Sequence, residues 1–391
     1  MVTLADYAGR EQAYVKHTFL ENYLEVLAHK IASRYPHIVY VDGFAGPWQS
    51  ANERFEDTSF GIALNALRQA KESWKQMGRN VRMSAHLVER DPAAYGRLVD
   101  AATRFPDVAV STYSGDFTEL IPIILNAIPP DAFAFFFVDP KGWRIPLRMV
   151  TPLLLRANSE IIFNFMFDFI NRAVNIGDAN IVAGLNELIP HGDWRSKIMK
   201  AETREDGNLT PEARKTVLVS AFTESLAKLG SYRFVAETTI LRPLRDRPLY
   251  CLCYATRHPR GIEVFRDCQI KALQEQSITR AAVKLQHATK ISGQAEMFES
   301  LHDMGPDELN AFLANEHQQA ENSLLELTPQ NPVSIQYGML WPEVLARHVI
   351  RRAQVNELAV KLRKAQRLEF LDWEKGKRVP QQGYRVWRPQ C

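Results

Sequence analysis

Within its first 140 residues this chain repeats one pattern four times: a short β-branched or aromatic run, an acid where the run stops, and then a stretch of helical spacing. The runs are Ile38–Asp42, Val81–Val88 followed by Glu89, Val108–Tyr113 followed shortly by Asp116, and Phe133–Val138 followed by Asp139. Strands that alternate with helices need crossovers, and the solution that buries every apolar face is a doubly wound, Rossmann-like α/β sheet. Phe133-Ala134-Phe135-Phe136-Phe137-Val138 is apolar without alternation, which predicts a central parallel strand covered on both faces. In such sheets ligands sit beyond the carboxyl ends of the strands, so the four acids stand where binding occurs.

The intervening segments support the same frame. Phe19, Tyr23 and Leu27 fall on one helical face with Leu20 and Leu24 beside them, predicting a helix over 15–31. Lys16 and His17 lie in its first turn, where the helix dipole disfavours cations; solvated surface or a phosphate contact would account for them. Helical spacing resumes over Ser59–Trp74, from Pro92 with Asp91 as N-cap, over Phe117–Ala127 and over Pro146–Arg156, ahead of a fifth strand at Glu160–Phe167. Residues from about 168 to 230 read as a helical insertion forming a cap near the site. Tyr232–Leu241 and Leu249–Thr256 read as an antiparallel hairpin, followed by a helix from about Arg260 to Glu275.

Three domains are expected: 1–275 Rossmann-like, 276–330 a helical connector, and 331–391 a basic module. That last segment holds 12 Lys or Arg against 5 Asp or Glu, a net of +7, so the preceding 330 residues carry −4 of the overall +3. A helix opened by Trp341-Pro342, a second over Ala353–Arg367, and two strands at Leu368–Trp373 and Tyr384–Trp387 give a winged-helix-like outline. Lys361, Lys364 and Arg367 fall opposite the apolar stripe of the second helix, and Lys375, Lys377 and Arg378 fall on the wing. Cations so arranged bind DNA or RNA by neutralising phosphates, or mark a protein-docking surface.

The chain has no run of eighteen apolar residues, and Met1-Val2-Thr3-Leu4-Ala5-Asp6 lacks a basic start and an apolar core, so neither membrane span nor signal peptide is expected. A cytoplasmic location is expected by default. Cys251, Cys253, Cys268 and Cys391 lack the paired spacing of a metal site, and Cys251 and Cys253 fall on one face of a strand as core.

Class I methyltransferases place a glycine loop after the first strand, a second-strand acid on the ribose of S-adenosylmethionine, and a third-strand acid at the adenine. The chain resembles them at Asp42-Gly43-Phe44-Ala45-Gly46, at Glu89 and at Asp116. Asp139-Pro140 resembles the box with which enzymes that methylate base amines align the amine, Trp143 standing one place late for its aromatic; Lys141 and Gly142 depart from that box. Trp48 stands where the loop's last glycine is usual. The resemblance implies that Asp42, Gly43, Phe44, Gly46, Glu89 and Asp116 bind the cofactor and that Asp139, Pro140 and Trp143 serve catalysis.

Lys16-His17, Val41–Pro47, Val88–Pro92, Val138–Pro140 and Ile162–Phe165 through Asn171-Arg172 together resemble the three-Cys-motif partner family, TcmP, over most of residues 10–270. This implies a methyltransferase-like fold and a partner protein bearing the three-cysteine motif, with radical S-adenosylmethionine chemistry as one option for that partner. Two functions stay open: a methyltransferase acting on nucleic acid, and a non-catalytic nucleic-acid-binding adaptor for the partner enzyme.

Overall fold

A computed structural model describes residues 3–46, 50, 52, 55–174, 176, 178–204, 209–292 and 301–390. The chain separates into two compact units, 1–257 and 258–391.

In the first unit α1 (Glu11–Ala32) precedes β1 (His37–Asp42), and then come α2 (Ser59–Gln76), β2 (Arg82–Glu89), α3 (Pro92–Ala102), β3 (Ala109–Ser114), α4 (Phe117–Ala127) and β4 (Phe133–Val138). There follow α5 (Leu147–Leu154), β5 (Ser159–Phe165), α6 (Phe167–Val174), α7 (Ala179–Leu188), α8 (Trp194–Arg204), α9 (Pro211–Gly230), β6 (Phe234–Leu241) and β7 (Pro248–Thr256). The helices start where side chains accept from exposed amides: Thr58 from Gly61 N, Asp91 from Ala94 N, Asp116 from Thr118 N and Thr210 from Ala213 N.

The sheet runs β3-β2-β1-β4-β5-β7-β6. Strands β1 to β5 are mutually parallel, and β7 is antiparallel to both β5 and β6. It follows that β6 runs with β5, and that the carboxyl ends of β1 to β6 share one edge. The order reverses between β1 and β4, the switch point at which open sheets of this kind bind ligands. The fold is therefore a mixed α/β, Rossmann-like sheet.

Every residue of β4 is buried, as its unbroken apolar run requires. Side chains alternate between two cores. Val39, Val41, Phe136, Val138, Phe163 and Phe165 join Ile121, Val150 and Phe222 on one face. On the other, Tyr23 packs against Phe135 and Tyr254 at ring separations of 5.6 Å. Cys251 and Cys253 both lie in the first of these cores, buried and reduced.

Three expected boundaries move. Strand β5 stops at Phe165, and Phe167 opens α6 instead. The stretch expected as a cap is four helices whose apolar residues, among them Leu185, Trp194 and Phe222, join the sheet core. The ring of Phe222 on α9 lies 4.9 Å from Phe163 and 4.7 Å from Phe165, so α9 is a layer of the sheet. Helix α10 (Pro259–Ser292) is longer than expected, and with α11 (Leu301–Leu327) it belongs to the second unit rather than to a connector. The reason is visible at Arg266, 4 % exposed, whose guanidinium donates to the Leu345 and Ala346 carbonyls at 2.6 and 3.0 Å.

Those carbonyls end α12 (Tyr337–Arg347), which α13 (Arg352–Lys364) follows. Strands β8 (Ile335–Gln336), β9 (Glu369–Phe370) and β10 (Arg385–Trp387) form a small antiparallel sheet ordered β8-β10-β9. Trp341 and Pro342 lie inside α12 rather than at its start. Among the described residues no helix is long and apolar enough to cross a membrane.

The layer role of α9 has a measurable cost. Phe222→Ala is predicted to lower unfolding stability by about 3–5 kcal/mol, as loss of a buried ring does. A helix that only covered the cleft would lower the unfolding free energy read from urea titration by a surface-like ~0.5 kcal/mol or less.

Candidate active site

The loop after β1 is held from below. Gly43 N donates to Phe137 O at 3.1 Å and Ala45 N to Val88 O at 2.9 Å, so the turn is pinned to the strands on either side. Asp42 is fully buried and accepts from Tyr40 Oη at 3.0 Å, Ser59 Oγ at 2.7 Å and Phe44 N at 2.9 Å. Burial pushes its carboxyl up to about 6, and the Ser59, Phe44 and Tyr40 hydrogen bonds oppose that rise. Asp42 therefore braces the loop from beneath and does not line the cleft. A Cβ on Gly43 would lie 2.8 Å from the Phe117 ring, so packing of α4 demands the glycine.

Above this loop lies a cleft of about 980 Å³, a volume suited to a small-molecule ligand. It gathers eight of the nine residues that the sequence points to: Gly43, Phe44, Gly46, Glu89, Asp116, Asp139, Pro140 and Trp143. Glu89 is 5 % exposed and its Oε1 accepts from Asp91 N at 2.7 Å. Asp116 accepts the Thr118 amide and hydroxyl on Oδ1, at 2.9 and 2.6 Å. Among the described residues no hydrogen bond falls on Glu89 Oε2 or Asp116 Oδ2, leaving one carboxylate oxygen of each to accept from a ligand. Gly115 joins the two, at φ +145° with its amide on Glu89 O at 3.2 Å, a conformation that favours glycine. Burial lowers the Lys141 ammonium's affinity for its proton, and Glu89 and Asp91 oppose that shift.

Two residues that the sequence did not place here complete the site. Lys16 Nζ, on α1, meets Asp139 Oδ2 at 2.5 Å, and Asn164 Nδ2, on β5, meets Oδ1 at 2.5 Å. Lys16 is 14 % exposed, so the solvated-surface reading of the Lys16-His17 pair is corrected. Its ammonium also sits 5.8 Å from the centre of the Tyr250 ring. Each Asp139 oxygen thus already accepts from the protein, and an amine of the chain occupies the acid expected to align a substrate amine. His17 meets Tyr7 Oη through Nδ1 at 2.7 Å, and burial, with the charge of Lys16 and Arg10, holds its imidazole well below its usual range. Helix α1 begins at Glu11 rather than near Val15, so the pair lies in its second turn and not its first. The available signals were a cationic pair on an amphipathic helix and one amide inside an apolar strand. Trp143 lines the cleft but also packs on α7, where a Cβ at Gly184 would meet its ring at 2.8 Å. Trp48 lies outside the described residues.

In the second unit Lys361 Nζ meets Glu321 Oε2 at 2.7 Å, and Arg367 lies 3.8 Å from Glu321 Oε1, so both pair with a carboxylate of α11 while their own side chains stay 64 and 56 % exposed. Lys377 lies 3.9 Å from Glu374. Lys364, Lys375 and Arg378 are exposed. Among the described residues there is no group of three or more His, Cys, Asp or Glu arranged to hold a metal ion.

Asp42 gives a pH signature. Its folded pKa, about 6, exceeds the ordinary 3.8, so the folded state holds the proton more tightly. The stability this group contributes is complete below 3.8 and is lost as pH rises through about 6. Asp42→Asn keeps an oxygen for Phe44 N and Ser59, and is predicted to flatten that loss in urea unfolding measured across the same window.

No family model matches the chain, and no curated protein matches it. A solved structure described as loganic acid methyltransferase with SAH is similar over 80 % of this chain and 91 % of its own, at 7 % identity and a TM-score of 0.28. A likeness at that level carries no argument about this chain, whose Rossmann-like fold stands on its own seven-stranded sheet.

Proposed function

We propose that the first unit is an S-adenosylmethionine-binding, methyltransferase-type domain acting on nucleic acid. The observation that carries this is the convergence of Glu89, Asp116 and the Gly43–Gly46 loop on one cleft at the switch point, with one oxygen of each acid unengaged among the described residues. Carboxylate oxygens accept vicinal hydroxyls strongly, which fits Glu89 to a ribose; Asp116 fits the neighbouring adenine amine. When bound, the cofactor supplies an electrophilic methyl group. The chain's own part is alignment: Lys16 and Asn164 fix the Asp139 carboxylate, and Pro140 and Trp143 shape the wall beside it.

The basic second unit supports the nucleic-acid reading, with Lys364, Lys375 and Arg378 as its phosphate contacts. The TcmP resemblance over residues 10–270 supports a partner protein that bears the three-cysteine motif. A second reading, the adaptor, is favoured by the Lys16–Asp139 pair, because a neutralised acid is a poorer acceptor for a substrate amine.

Calorimetric titration with S-adenosylhomocysteine tests the cofactor. Micromolar binding is expected, weakened roughly tenfold or more by Glu89→Gln, which keeps the Asp91 contact but removes the charge. No binding at millimolar ligand by the folded chain would overturn the enzyme reading. For the second unit, Lys364→Ala with Lys375→Ala and Arg378→Ala is predicted to reduce the salt dependence of oligonucleotide binding by about 0.7–0.9 per contact. Lys361→Ala is predicted also to lower stability modestly, since it strips one of two cationic partners from Glu321.

A further inference from the structure

The edge of the sheet that carries the cleft presents the carboxylates of Glu89 and Asp116 over β2 and β3, with Arg90 and Lys141 beside them, and a cluster of arginines over β5 and β6. The organising group there is Asp168 in the first turn of α6, whose side chain is 4 % exposed. Its Oδ2 takes Arg242 at 2.8 Å and Arg172 at 3.2 Å, and its Oδ1 lies 3.6 Å from Arg247. One buried carboxylate therefore sets three guanidiniums drawn from a helix and from the β6–β7 turn, and their side chains remain 58, 40 and 37 % exposed. Each guanidinium carries more donors than a shared carboxylate can accept. Arg247 Nε has no hydrogen-bond partner among the described residues.

Beside this cluster stands Phe169. It is 45 % exposed, lines the cleft, and has the Arg172 guanidinium 4.8 Å from its ring centre. A large ring half in water at the mouth of a cleft, flanked by pre-set cations, has the two parts of a single-strand binding platform: a π-face for an unstacked base and guanidiniums for the adjoining phosphates. An acidic peptide would use the cations but has no group for the ring, and a duplex offers no unstacked base.

We propose that Phe169 with Arg172, Arg242 and Arg247 forms a stacking and phosphate-binding platform for single-stranded nucleic acid at the mouth of the cleft. This deepens the function proposed above, resting on its nucleic-acid substrate but not on its cofactor. The platform is pre-organised, because Asp168 fixes the arginines before any ligand arrives.

The test is fluorescence anisotropy of the full chain with short labelled single-stranded RNA and DNA, using Phe169→Ala, Phe169→Tyr and Arg172→Ala, all at exposed positions, with folding checked by circular dichroism. Phe169→Ala is expected to weaken binding roughly tenfold and Phe169→Tyr to restore it. Arg172→Ala is expected to reduce the salt slope by about 0.7. Unchanged affinity in Phe169→Ala and Arg172→Ala, with loss only in the Lys364, Lys375 and Arg378 variant, overturns the platform and leaves the proposed function standing. Binding that depends on Phe169 in a chain that takes up no S-adenosylhomocysteine supports the platform while the cofactor reading falls. Polyglutamate that binds as tightly as the oligonucleotides, with no dependence on Phe169, also overturns it.

Discussion

A carboxylate enclosed in the interior, at the end of β1, holds the rest of this site in place. Burying Asp42 costs free energy that Tyr40, Ser59 and the Phe44 amide offset, each by a hydrogen bond no longer than 3.0 Å. Because one donor comes from α2 and another from the loop itself, the acid fixes where the strand gives way to the turn. The turn then carries Gly43 beneath Phe117, and α4 carries Asp116 at its cap. An acid that resembles a ligand in the sequence thus acts one layer below the ligand-facing residues. The same economy appears at Asp168, where a buried acid sets the exposed arginines around it.

The charges about the cleft are arranged in parts. Glu89 and Asp116 face it from the ends of β2 and β3 with Arg90 and Lys141 beside them, the Lys16–Asp139 pair is close to neutral, and beyond β5 and β6 Asp168 gathers three arginines next to Phe169. A ligand with hydroxyls and an amine at one end and a polyanion at the other matches the Glu89 and Asp116 carboxylates and the arginine cluster respectively. The topology makes this arrangement possible, since every strand from β1 to β6 opens on the same edge.

Much of this frame was legible in the sequence because it depends on local pattern. The unbroken apolar run of β4 has no other economical explanation in an α/β rhythm, and α4 begins and ends at the residues its cap and spacing indicate. The acids after β2, β3 and β4 do converge on one cleft. What could not be read were pairings made across the chain. Lys16 and Asp139 are 123 positions apart, and nothing in either neighbourhood shows that one neutralises the other. Nor does the helix face of Lys361 show that it pairs with Glu321, on a separate helix 40 residues earlier. Arg266 is a third such pairing, its guanidinium tying α10 to the Leu345 and Ala346 carbonyls 79 and 80 positions later, which leaves no trace in a hydrophobic pattern.

Gly43 touches an aromatic ring of the protein, at a distance where any side chain would have to displace α4. The demand for glycine therefore comes from the scaffold, and it would persist in a descendant that had abandoned its ligand. Selection on such a site is divided between two kinds of position. Gly43 and Asp42 would be retained by any lineage that keeps the fold, while the outward oxygens of Glu89 and Asp116 are the features that drift once the cleft falls idle.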